Sequence, residues 1–190
     1  MKCTCCGSTK GITYRSVETG EATVKAEEEE EKSLRQQAIA RFERFLGKYP
    51  GDQRWSPDAI FRLAELYFER ANDDYLAAAQ ASQKAGGETA PPTPDYGKTV
   101  ELYRQLIERF PKYRLADGAY YLLGYCLGEM NKEAEARQTY LALVCGNRYK
   151  VNDPPPPPVA SKGRGVQSPY SDCVPLKLDS RFVPEAWTRI

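Results

Sequence analysis

Carboxylates and cysteines are the side chains here whose spacing could do chemistry. Glu65 and Glu69 stand one helical turn apart, close enough for a carboxylate pair of the kind that hydrolyses glycosidic bonds. Arg62 and Arg70 lie within a turn of them, and acid–base neighbours at that spacing read first as a solvated helix face. Histidine is absent from all 190 residues, which removes the commonest proton-transfer group and the commonest metal ligand together. We therefore expect no enzyme and assign no catalytic residue.

The six cysteines divide into three settings. Cys3, Cys5 and Cys6 form a C-x-C-C cluster. A structural zinc site usually takes four ligands in spaced pairs, and no second pair exists, so no metal or other cofactor is expected; a small metal or redox module is the rival reading of this start. Cys126 sits among apolar residues and reads as a small core side chain. Cys145 and Cys173 bracket a long irregular loop. In an oxidising compartment a bridge there would stabilise the fold by ~3 kcal/mol.

The elements that carry these residues are helices. From Ser33, the residues Leu34, Ala38, Ile39, Phe42, Phe45, Leu46 and Tyr49 recur at spacings of three and four, and Gly47 and Pro50 end the stripe. A second helix opens near Pro57 with Ile60, Leu63, Ala64 and Tyr67 on one face and can run on to about Lys84. Glycines and prolines from Gly86 to Pro94 interrupt it. A third follows to Phe110, a fourth from about Leu115 to Met130, and a fifth from Lys132 to Val144. After Asp153 come five prolines, then the glycine-rich stretch Lys162 to Gly165, a stiff excursion between helices. A sixth helix opens at Pro184.

One helix entry is written three times: Arg54-Trp55-Ser56-Pro57-Asp58-Ala59-Ile60, Arg114-Leu115-Ala116-Asp117-Gly118-Ala119-Tyr120 and Arg181-Phe182-Val183-Pro184-Glu185-Ala186-Trp187. The helix ends recur as well. Phe42, Phe45, Leu46, Tyr49 and Pro50 match Tyr103, Leu106, Ile107, Phe110 and Pro111 at an offset of 61. Repetition of whole helix junctions predicts an all-α solenoid of stacked antiparallel helix pairs.

The domain reading that follows is a flexible or atypical segment over 1–32 and a helical array over 33–150 with an insertion at 72–95. A Pro/Gly-rich excursion covers 151–179, and 180–190 start a further, truncated repeat. The net charge is +1 and no face-long basic run compensates, which argues against nucleic acid as a partner. No stretch approaches the roughly 20 apolar residues of a membrane span, and the start lacks the apolar run of a secretory signal.

Residues 117–150 resemble a tetratricopeptide repeat. The places this family fills with a large aromatic, Leu, Gly and Tyr, then Ala, an aromatic, Ala and Pro, hold Tyr120, Leu123, Gly124, Leu127, Ala136, Tyr140, Leu143 and Arg148. Five of the eight agree closely. The run from Tyr103 to Pro111 and the earlier Phe-x-x-Phe-Leu-x-x-Tyr-Pro are similar to repeats of bacterial envelope proteins such as the BamD and CpoB families, and closest in style to long repeat proteins of myxobacterial envelopes.

The resemblance implies a right-handed solenoid with two long irregular insertions and a non-catalytic scaffold that binds a protein or peptide. It also implies a periplasmic or envelope location; a cytoplasmic adaptor is the alternative if Met1 is the true start, and a cell-wall hydrolase is a weaker one. In this family the first helix of each pair lines the concave surface. On that mapping Phe61, Glu65 and Phe68 of the second helix and Tyr121 and Tyr125 of the fourth face the partner groove, unless they pack against the excursions instead. The oligomeric state is left open.

Overall fold

Residues 14–84, 92–154 and 170–190 are described by the computed structural model, and among them the regular structure is helical throughout. In chain order the helices are α1 (Tyr14–Lys48), α2 (Ser56–Lys84), α3 (Gly97–Arg109), α4 (Ala116–Glu129), α5 (Glu133–Val144) and α6 (Val183–Trp187). Two compact units divide the chain, Met1–Ala38 and Ile39–Ile190.

In the first unit, the part of α1 before Ser33 carries few large apolar groups, and Glu27 to Glu31 are all exposed. The described part of 1–32 is helical from Tyr14. Glu, Lys and Ala have high helix propensity, and the charges pair along the helix, Arg35 with Glu31 at 2.8 Å and Lys32 with Glu29 at 3.3 Å.

The second unit is built by neighbour-to-neighbour packing. α2 packs on α3, α3 on α4, α4 on α5 and α5 on α6, which is the connectivity of a tetratricopeptide-like array. Its core runs from Ile60 and Ala64 through Tyr103, Leu106, Leu123, Cys126 and Leu127 to Tyr140, Leu143 and Ala186. Close approach of α4 and α5 depends on Gly124, where a Cβ would lie 2.7 Å from the Tyr140 ring. The turn between these helices depends on Asn131, whose φ of 59° lets the Asn131 N–H reach the Gly128 carbonyl and the Lys132 N–H reach that of Leu127. Those two bonds are a Schellman closure, with Asn in the place glycine usually takes.

The thrice-written entry has one physical meaning in all copies. The N–H groups of Ala59, Ala119 and Ala186 donate to the carbonyls of Trp55, Leu115 and Phe182, four residues earlier, which starts each helix. The three alanines are 5%, 0% and 0% exposed, so a larger side chain has no room at any copy. Between copies, Asp58 at the head of α2 accepts hydrogen bonds from the Tyr113 hydroxyl at 2.6 Å and from Arg114 at 2.7 Å.

The insertion at 72–95 is only partly irregular. α2 continues through Asn72 to Lys84, and residues 92–96 then lead into α3. No helix among the described residues is long and apolar enough to cross a membrane.

Candidate functional site: an aromatic row on the first helices

The five residues expected to face a groove occupy different environments. Phe61 is 7% exposed, with ring centroids 5.8 Å from Tyr103 and 6.0 Å from Tyr113. Its expected place on the groove is therefore corrected to the core: Tyr103 of α3 and Tyr113 of the second junction both close over it. Glu65 is partly exposed and accepts from Arg62 at 2.6 Å, while Glu69 is exposed. That disposition leaves the carboxylates on a solvated face.

Phe68, Tyr125 and Tyr121 form a half-buried row. The Phe68 ring stacks on Tyr96 at 5.0 Å and meets the edge of Tyr125 at 6.0 Å. Tyr125 lies under the Arg189 guanidinium at 5.9 Å, a cation–π arrangement. One turn away, Tyr121 stacks on Phe182 at 5.1 Å and sits 5.9 Å from Tyr140. Partial burial pushes both the Tyr121 and the Tyr125 phenols above the usual range, and a hydrogen bond with Glu185 adds to this at Tyr121.

Tyr96, Phe182, Glu185 and Arg189 thus belong to the row although sequence reasoning left them out. Phe182 carried a usable signal as the large apolar residue of the third helix entry. Tyr96 closes the first excursion, where no periodicity marks an inward position. Just past each excursion an aromatic ring lies on a residue expected to be open, Tyr96 on Phe68 and Phe182 on Tyr121.

What the row offers is ring surface flanked by charge of both signs. Stacking, cation–π and hydrogen-bond contacts are its chemistry. Cys126 supplies no nucleophile, because its side chain is fully buried and burial pushes its thiol up to about 12. Cys3, Cys5 and Cys6 lie outside the described residues.

A strap fastens the end of this row. Cys145, just past α5, and Cys173 are joined by a disulfide across 28 residues. Beside it the Asn147 side chain donates to the Asp172 carbonyl at 2.9 Å and accepts from the Val174 N–H at 2.9 Å. The Leu176 N–H reaches the Leu143 carbonyl at 2.8 Å. Gly146 permits this approach, since a Cβ there would lie 3.2 Å from the Leu176 Cα.

Residues 118–144, from α4 through α5, match the tetratricopeptide repeat family model. With its Gly124–Tyr140 contact, the α4–α5 pair is thus similar to a tetratricopeptide repeat, and the helices of the second unit form an all-α, tetratricopeptide-like stack. No curated protein and no solved structure matches the chain.

Proposed function

We propose that the chain is a non-catalytic scaffold that binds a peptide or helix of a partner protein along the face carrying Phe68, Tyr125 and Tyr121. Tetratricopeptide repeats generally mediate protein–protein contacts, which supports a protein partner. The observation that carries the reading is the half-buried aromatic row itself, flanked by Arg189, Glu185 and the Arg62–Glu65 pair. Rigid, half-buried rings supply contact area at small entropic cost, and Tyr and Arg are the usual anchors of such surfaces.

The finer reading is a bacterial envelope assembly, with the protein in the periplasm. The spelling of the repeats and the Cys145–Cys173 disulfide support it, since disulfides persist in oxidising compartments. The test is affinity capture from an envelope extract with the wild-type chain and with Tyr121→Ala combined with Tyr125→Ala. The double variant should keep its helical circular dichroism and lose a specific partner by at least tenfold. Equal recovery of the same partner by both proteins overturns the assignment of the face.

A further inference from the structure

We propose that the Cys145–Cys173 disulfide is a redox latch for the aromatic row: closed, it holds α6 and its flanking Phe182 and Arg189 over part of Tyr121 and Tyr125, and its reduction by a dithiol frees α6 and widens the ring surface that the half-buried row already offers. The inference rests on the reading of that row as a partner surface and adds its regulation. α6 spans only Val183–Trp187, far below the length at which a helix persists by itself. Its position comes from what it rests on. Ala186 is fully buried, Phe182 lies on Tyr121, Arg189 lies over Tyr125, and Trp187 lies 5.5 Å from Tyr170 of the strap.

The strap is held by one covalent bond, the Lys177–Asp117 ion pair at 4.0 Å and a few hydrogen bonds, of which the two to Asn147 are exposed. Exposed hydrogen bonds are the first to open in a native protein. With the disulfide broken, only these non-covalent contacts hold the strap. The covalent bond is therefore what decides whether α6 stays docked.

The two sulfurs differ in access, as a latch requires. Cys145 is fully buried, while Cys173 is partly exposed. A thiolate of the dithiol attacks Cys173 Sγ, the S–S bond breaks, and its electron pair leaves with Cys145 Sγ, which takes up a proton. The second thiol of the reductant then attacks the mixed disulfide and releases Cys173 as a thiol. Two electrons and two protons pass to the chain, and the dithiol ends as a disulfide.

The test uses the full chain with Trp55→Phe, which leaves Trp187 as its one tryptophan. Amide exchange over residues 176–190 and Trp187 emission are followed before and after dithiothreitol, with thiol counting to confirm reduction. Reduction should speed exchange in α6 at least tenfold and shift the emission to the red, with α3, α4 and α5 unchanged. Cys173→Ser should do the same without reductant, and Asn147→Ala with the disulfide closed should not. Unchanged α6 exchange on reduction overturns the latch, and so does an equal loss across α3, α4 and α5, which would make the bond a general staple. Either result leaves the partner surface standing; that reading fails separately, through the Tyr121 and Tyr125 substitutions.

Discussion

A methyl group added at Gly124 would enter the Tyr140 ring, 2.7 Å from its nearest atom, and the ring is 3% exposed with little room to retreat. Gly124→Ala should therefore cost about 1–3 kcal/mol, read as a lower thermal or urea midpoint by circular dichroism. Combined with Tyr140→Leu the losses should fall short of additive, since the second change removes the obstacle. Asn131 poses a backbone question in place of a packing one. Its φ of 59° favours glycine, so Asn131→Gly should be neutral or slightly stabilising, while Asn131→Ala should lose about 1 kcal/mol. Phe61 shows where reasoning at this scale goes astray: its helical phase suggested the groove, but its surroundings come from Tyr103 and Tyr113, more than forty residues away in sequence.

Between elements, the first two helix entries are tied by Asp58. The hydrogen bond from Tyr113 is the main force holding its carboxyl below the ordinary range, burial opposes it, and Arg114 adds to the lowering by hydrogen bond and charge. A carboxyl with a depressed folded pKa stabilises the fold above its unfolded value and stops doing so as pH falls through the folded one. The stability of the array should accordingly decline below about pH 4, where an unfolded Asp begins to protonate. Asp58→Asn should flatten that acid limb in urea melts at pH 2.5–5; an unchanged slope would show that other carboxyls set it.

Periodicity made α3, α4 and α5 legible to within a residue or two of their ends, because apolar positions at spacings of three and four are what buries them. The α1 residues before Ser33 were not legible, since charge and alanine mark a helix without marking a face. Nor was the cover over the aromatic row. Tyr96 and Phe182 lie beside excursions whose return path is written in no local period.

For the whole molecule, tyrosine is the dominant core aromatic, and burial sets how the protein meets alkali. The phenols of Tyr96 and Tyr140 are pushed up to about 12, chiefly by burial, and those of Tyr103 and Tyr113 higher still. These raised folded values mean that the stability they give is fully present below about pH 10 and is lost as pH climbs through the folded values. Absorbance at 295 nm should show only part of the 13 tyrosines ionising near pH 10, with the remainder appearing together as the array unfolds. A single smooth transition of all 13 would contradict the packing described.

The joining of Cys145 to Cys173 also fixes how the chain responds to tension. Helices that pack chiefly on their chain neighbours peel apart one pair at a time under load, and a pull on the two ends would draw each into an extended strand. The residues between the two cysteines are shielded from that pull, so the fully stretched oxidised chain should be shorter than the reduced one by about 90 Å, at ~3.4 Å per residue. In an optical trap, reductant should release that slack as one late step, making the protein a tether whose reach is set by the thiols around it.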